Sequence, residues 1–380
     1  MTENKGKNIR KHSKTKAKRK RTRKEKLLIA VCVLVGAAIL FSAIFIIVWN
    51  SKPLDNQKGK DFDAKLESGF DSEILTTKEE QVNFLIAGEK DMLTDVLMVA
   101  SVNVKTNSVE ILQIPRDSYV SEAYSTGKIN AAYTQYGSSD LKNIARTEKM
   151  IYDQFKINID HYVVVNLSAF RRIIDSMGGI PINITEEFVF EKGKVIKPGK
   201  QTLNGEKAEW FVRERHNRGD GSDISRIKMQ RVFLAAFVER VKTLGVKKIV
   251  SSVIPAFVKD IDNLSSDMTV NQMSDYAKMF INIPQSNIRI HMIPGEGYGF
   301  LNAKGKCINS VYAIHAQSTA DLLNTYFRPY SPKVEVDKLG IITIKGIKNV
   351  DSYENTQDDF QSLLNGDKPG KKKNDSSKVN

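Results

Sequence analysis

Between residues 81 and 120 the apolar and polar positions follow the short period of strands. Val82 to Ala87 is a brief apolar run closed by Gly88, which reads as a first core strand. Val96 to Val102 is a second run, rich in β-branched residues. Lys105-Thr106-Asn107-Ser108 is a polar link, and Val109 to Ile114 is a third run ended by Pro115. Two such runs about a short polar link predict a β-hairpin. Counted outward from residue 106, the antiparallel fold-back sets Asp95 beside the Arg116-Asp117 pair, at the open end of two buried strands. A cation and two carboxylates at a strand terminus suit either a metal- and phosphate-handling centre or a surface salt-bridge cluster.

After the hairpin the period lengthens. Asn130 is placed to cap a helix beginning at Ala131. Lys128 then sits at a helix N-terminal end, where the dipole disfavours a cation unless an anion lies close. Leu141 to Phe155 has helical spacing, His161 to Leu167 reads as a buried strand, and Ala169 to Met177 as a helix stopped by Gly178-Gly179. Ile180 to Ile184 is a strand. Pro198-Gly199 opens a turn, and Asn204 caps a helix from Gly205 to about Val212. The next helix starts at Asp223 and carries Arg226 and Gln230, four apart, on one face. In the charged stretch between, Arg213 and Arg215 point the same way if the chain is extended. Adjacent guanidiniums call for an anion, and arginine suits bidentate phosphate contacts; a solvated charged loop is the alternative. Met268 to Phe280 reads as a helix, Ile288 to Ile293 as a strand, Ser310 to Phe327 as a helix and Val334 to Ile347 as a strand pair. Strands alternating with helices, plus one hairpin, predict an α/β sandwich with a mixed sheet.

A different pattern precedes all this. Leu27 to Trp49 is 23 residues without a charge, roughly 34 Å as a helix and so long enough to cross a hydrocarbon core of about 30 Å. It stays bulky to its end, unlike a cleaved signal peptide, and Trp49 suits an interfacial anchor. The expectation is one uncleaved N-terminal transmembrane helix, with the basic tail of residues 1–26 cytoplasmic and everything after residue 50 outside the cell. Residues 50–80 read as a polar stalk, 81–330 as the main folded domain, and 331–380 as a C-terminal extension ending in a disordered basic tail.

Charge alters one conclusion. The chain has 380 residues, 41% of them hydrophobic, and a formal charge of +14, which suggests a nucleic-acid binder. Residues 1–26 hold 13 Lys/Arg against 2 acidic residues, and residues 365–380 hold 5 Lys against 2 Asp. These two segments account for the whole excess, so the folded part is electroneutral and no nucleic acid is expected as its partner. The basic tail reads more simply as a topology signal drawn to the lipid bilayer. Two cysteines, Cys32 and Cys307, form no metal spacing or disulfide framework, and the five histidines are scattered.

Several short stretches resemble the LytR-CpsA-Psr family: Asp95 before an apolar strand, Ile114-Pro115-Arg116-Asp117, Lys128-Ile129-Asn130-Ala131, Gly178-Gly179, Pro198-Gly199-Lys200, Leu203-Asn204-Gly205-Glu206, Val212-Arg213-Glu214-Arg215 and Asp223 to Arg226. Their order and spacing agree over roughly residues 81–330. The resemblance implies an α/β/α sandwich with a long apolar pocket, for which Phe170, Ile173, Phe233 and Phe237 are candidates. It implies a phosphotransferase that moves a glycopolymer, teichoic acid or capsular polysaccharide, from a polyprenyl-pyrophosphate carrier to peptidoglycan. The family's functional positions fall on Asp95, Arg116, Asp117, Lys128, Arg213, Arg215, Arg226 and Gln230, with the basic residues and Gln230 on the pyrophosphate and Asp95 and Asp117 placing Mg²⁺. Two positions depart from the pattern: Leu93 stands where the family usually has Arg, and Met229 where Arg or a polar residue is frequent. A polyprenyl-pyrophosphate hydrolase, or a membrane-bound regulator binding DNA through its basic tail, are the rival readings.

Overall fold

The computed structural model describes residues 81–121, 126–134, 144–191, 193–213, 223–258, 264–345, 347 and 360–364, without side chains at 223–226, 228, 264, 361 and 362. The expected tail, transmembrane helix and stalk, Arg215 and the terminal basic segment lie outside the described residues. Three strands open the domain: β1 (Gln81–Lys90), β2 (Leu93–Asn103) and β3 (Ser108–Ile114). They are followed by α1 (Ile144–Phe155), β4 (His161–Asn166), α2 (Leu167–Ser176), β5 (Ile180–Ile184), β6 (Phe188–Glu191), β7 (Lys194–Ile196) and β8 (Gly199–Leu203). Then come α3 (Gly205–Arg213), α4 (Asp223–Lys248, broken at Gly245), α5 (Ile254–Val258), β9 (Leu264–Ser266), α6 (Val270–Asn282) and β10 (Ile288–Met292). β11 (Gly295–Leu301), β12 (Cys307–Ile314), α7 (Ala316–Leu322) and α8 (Phe360–Leu364) complete the order.

Six strands form one mixed sheet in the order β10-β3-β2-β1-β4-β9. The β1–β2–β3 meander is antiparallel, and β4 and β10 pair in parallel with β1 and β3. Helices cover both faces. On one, Leu85, Ala87, Leu97, Val99, Leu112 and Ile114 pack with Ile151 and Phe155 of α1 and Leu322 of α7. On the other, Val102, Val109 and Ile111 meet Ala235 and Val238 of α4. Side chains alternate across a strand, so each strand contributes to both cores and the architecture is an α/β/α sandwich. A third core joins α2, α3, α4 and the small β5–β8 and β6–β7 ribbons.

The α4-side face has an uneven seal. In the strands at its centre, Ile86, Met98, Val163 and Val165 stay half-buried, whereas Leu85, Ala87 and Val99 opposite are closed off from solvent. Ile86, Met98 and Val163 lie in one row across β4, β1 and β2; Val165, Gly88 and Val96 form the next row, nearer Asp95. A row of half-buried apolar side chains therefore runs along the sheet toward the Asp95 end.

Three sequence expectations are corrected. Residues 129–133 form a short 3-10 turn with Asn130 inside it, so Asn130 is not a helix cap. Ser310 to Phe327 is not one helix: Cys307–Ile314 is a strand, and α7 starts only after His315. Its apolar side chains, Val311, Ala313 and Ile314, are buried against neighbouring strands and loops, which outweighs a pattern that also fits a helix. Among the described residues of Val334 to Ile347 there is no strand; the segment meets α1 where the backbone of Gly340 donates to the Asp153 carbonyl at 3.1 Å.

One buried pair makes stability depend on pH. His291 is fully buried, and its Nε2 lies 2.7 Å from the Glu110 carboxylate. Burial pushes the imidazole below its ordinary 6.5, Glu110 pulls the other way, and Arg289 and Arg231 add to the lowering. A neutral ring donating through Nε2–H fits this site. Because the folded ring resists protonation, the unfolded chain takes up the proton first as pH falls through about 6.5. Stability from this residue is full above that pH and declines below it. Thermal midpoints should fall between pH 7 and 5.5, and His291→Gln should flatten that slope; an unchanged slope would contradict the assignment.

Candidate active site

The site begins with the hairpin. Its register runs from Asn103↔Ser108 to Leu97↔Ile114, which leaves a four-residue loop and, carried outward, sets Asp95 level with Arg116. The sequence count had Asp117 in that place. Pro115 ends the strand, and the chain turns there, the Ser118 amide donating to the Pro115 carbonyl at 3.0 Å. The Arg116 guanidinium bonds the Asp95 carboxylate directly, and its Nε lies 3.7 Å from Asp117 Oδ1. Lys128 Nζ lies 3.3 Å from the same Asp117 oxygen, which supplies the anion its position demanded. These four side chains are one alternating charge cluster, all between 17% and 31% exposed.

Two further elements hold this segment. The Asn130 amide donates to the Arg116 carbonyl at 3.2 Å, and the Tyr312 amide of β12 donates to the Asp117 carbonyl at 2.8 Å. Backbone bonds from both sides leave Arg116 and Asp117 little freedom to swing away.

α3 carries the next cation. Asn204 accepts from the Lys207 amide at 3.0 Å, as a capping residue does, and the helix continues one residue further than expected. Arg213 therefore stands on this helix rather than in an extended strand, and it bonds Glu209 one turn back, Nη1 to Oε1 at 2.5 Å. The Glu209 side chain is only 2% exposed and also accepts from Arg171 of α2. Burial alone would raise the Glu209 carboxyl; the bonds from Arg171 and Arg213 outweigh it and hold the group below its ordinary 4.5. The Arg213 guanidinium stacks over the Phe190 ring at 5.3 Å. The β1–β2 turn stands at this end of the sheet: Glu89 pairs with Asn166 at the end of β4, α2 starts at Leu167, and its Arg171 shares Glu209 with Arg213. That turn leads into Asp95, so the α3 cation and the hairpin cluster belong to the same end of the sheet.

Gln230 of α4 donates to the Val212 carbonyl at 3.2 Å and so ties α4 to the end of α3. The side chains of Arg215 and Arg226 lie outside the described residues. Leu93 opens β2 opposite Lys90, and Met229 is half-buried against the α2–α3–α4 core, so neither is a cation's substitute. Phe233 is buried in that core, with Phe170, Ile173 and Phe237 partly buried on it. Glu209 and Arg171 were missed in the sequence; the four-residue spacing of Glu209 and Arg213 on a helix was the available signal.

α3 sits close to α2 because Gly205 has no side chain. A Cβ there would come within 2.3 Å of the Arg171 carbonyl oxygen, and the Gly205 amide donates to Asp175 at 2.8 Å. Gly205→Ala should destabilise by about 1–3 kcal/mol and displace Arg213 with the helix. A thermal midpoint equal to that of the wild type would contradict this packing.

Among the described residues no group of three or more His, Cys, Asp or Glu is arranged to hold a metal. Asp95 and Asp117, brought together on Arg116, are a two-carboxylate donor set. That fits a Mg²⁺ shared with substrate phosphates and water, and does not fit an all-protein cage.

A family model described as the LytR_cpsA_psr family matches residues 49–327. A Bacillus cereus protein called polyisoprenyl-teichoic acid--peptidoglycan teichoic acid transferase TagU is 30% identical over 256 residues, which cover 65% of this chain and 80% of that protein. The crystal structure of Bacillus subtilis TagV shares the fold at a TM-score of 0.54 and 23% identity, over 67% of this chain and 100% of that one. A structure of TagT bound to LIIa-WTA aligns at 0.51 and 20% identity, over 72% and 94% of the two chains.

Proposed function

Because this chain belongs to the LytR_cpsA_psr family, we propose that it is a membrane-anchored phosphotransferase that moves a glycopolymer from a polyprenyl-pyrophosphate carrier to peptidoglycan. The observation that carries this reading is the cluster of Asp95, Arg116, Asp117 and Lys128 at the sheet end from which α2 starts and reaches Arg213 through Arg171 and Glu209. The donor of the related TagU, a polyisoprenyl-linked teichoic acid by its name, is the chemistry such a cluster suits.

Charge supports the assignment. Arg116, Lys128, Arg171 and Arg213 stand against Asp95, Asp117 and Glu209, a surplus of one positive charge. A diphosphate diester, with two negative charges, is attracted by such a site, and no separate energy source is needed because the pyrophosphate bond is the activated one. Arg116 and Arg213 clamp the diphosphate, Lys128 and Arg226 assist, and Gln230 keeps the end of α3 in place. The Asp95 carboxylate takes the proton of the attacking sugar hydroxyl. The hydroxyl oxygen bonds to the phosphorus bearing the glycopolymer, the bond from that phosphorus to the bridging oxygen breaks, and polyprenyl phosphate departs. Positioning and charge stabilisation do most of the work in such transfers. Asp95 and Asp117 would hold Mg²⁺, which would supply positive charge against the phosphate oxygens. The half-buried lane of Ile86, Met98, Val163 and Val165 is the proposed path of the prenyl chain.

The test uses the purified full chain with a polyprenyl-pyrophosphate-linked saccharide, Mg²⁺ and peptidoglycan. A saccharide joined to peptidoglycan through a phosphodiester is the expected product. Release of free saccharide phosphate without an adduct would assign the chain to hydrolysis instead.

A further inference from the structure

We propose that the tip of the β11–β12 ribbon is a second membrane contact, a wedge that docks on an anionic phospholipid surface beside the mouth of the active site. The proposal rests on the lipid-linked donor argued above and adds how the folded domain meets the membrane that holds it.

The ribbon is rooted in the active-site segment. The Tyr312 amide bonds the Asp117 carbonyl, the Tyr119 amide bonds the Tyr312 carbonyl at 2.9 Å, and Asn309 Nδ2 bonds the Thr126 carbonyl at 3.1 Å, two residues before Lys128. The inner side of the ribbon packs through Tyr298, Phe300, Val311 and Ala313 against Tyr119 and Ile344. From Tyr312 the strand runs five residues to Cys307, a reach of about 17 Å from the Asp117 backbone.

At its far end the chemistry changes. Residues 301–308 are all exposed. Leu301 at 62% and Ile308 at 66% are the most exposed large apolar side chains among the described residues. Two apolar side chains at one loop end, held in water, are not ordinary surface scatter. Lys304 and Lys306 lie between them, and residues 297–310 contain no Asp or Glu. The loop is preformed: Asn302 Oδ1 accepts from the Lys304 and Lys306 amides, each at 3.0 Å, and Gly305 takes a φ of +72° with its amide bonded to the Asn302 carbonyl. A rigid turn that presents two lysines between two aliphatic side chains complements a surface of negative headgroups over an apolar interior. A soluble acidic partner would use the lysines and leave Leu301 and Ile308 wet.

Cys307 is free and exposed at the tip, which makes it a reporter position. In the full chain with Cys32→Ser, an environment-sensitive fluorophore is attached there, and the protein is reconstituted into phosphatidylglycerol or phosphatidylcholine vesicles. Docking predicts blue-shifted emission in phosphatidylglycerol, quenching by acyl-chain nitroxides and at least a fivefold reduction of iodide quenching. Lys304→Glu with Lys306→Glu should return the label to water. A label equally open to iodide in both lipids overturns the proposal. Protection that grows with the protein-to-lipid ratio overturns it too, and assigns the tip to a second copy of the chain. Because the fluorescence needs no turnover, a chain that docks without transferring, or transfers without docking, separates this proposal from the transferase reading.

Discussion

Arg116→Ala is expected to lower kcat/KM for glycopolymer transfer by roughly two to three orders of magnitude, on the scale of losing one preorganised oxyanion donor. Arg116 is the link in the cluster, bonded to Asp95 and lying 3.7 Å from Asp117. Its loss removes a phosphate-facing charge and also leaves two carboxylates facing each other across the vacated space, which repels the donor. Arg116→Lys should recover little, because an ammonium is a point charge and cannot span two carboxylates as a planar guanidinium does. The side chain is 17% exposed, so its removal should cost the fold only about 1–2 kcal/mol. Steady-state transfer kinetics beside a thermal melt separate the two effects. Turnover within a factor of three of the wild type would reject the clamp.

Glu209→Ala should have the second-largest effect, through placement. The buried carboxylate holds Arg213 and Arg171 on two helices. Both guanidiniums reach solvent, with Arg171 48% and Arg213 33% exposed, so water takes over much of the lost interaction. The stability loss is then about 2 kcal/mol, roughly 4–8 °C in Tm for a domain of this size. Catalysis should fall further than stability, because Arg213 loses the bond that aims it, and the loss should appear in kcat with folded protein still in hand. The carboxyl is held low in the folded state, so this contribution is complete above about 4.5 and is lost as pH falls through the folded value. Glu209→Ala should therefore flatten the acid limb of the stability profile. A variant with normal kcat would reduce Glu209 to a structural tie.

The hairpin was legible in the sequence because apolar, β-branched runs about a polar link leave few other structures open. Its register was off by one residue. A loop of four, Val104 to Asn107, centres the fold-back between residues 105 and 106, so Arg116 and not Asp117 falls level with Asp95. That shift decides which group bonds Asp95. The cap at Asn204 was read correctly, since a polar side chain before an apolar helix has a local cause. Residues 310–327 were misread because their apolar spacing fits a helix as well as a strand leading into one, and tertiary burial of Val311 to Ile314 decides the matter. The pairing of Glu209 with Arg171, 38 residues apart, leaves no local trace at all. The pattern of charged side chains was visible; the buried carboxylate that aims one of them was not.

The claim on which the rest depends is that these separated cations meet one diphosphate. Equilibrium binding of a polyprenyl-pyrophosphate-linked saccharide to the full chain, with Mg²⁺ present, tests it most directly. Arg116→Ala and Arg213→Ala should each weaken Kd at least tenfold, and polyprenol lacking the diphosphate should bind both variants as it binds the wild type. Equal donor affinity across all three proteins would contradict the account.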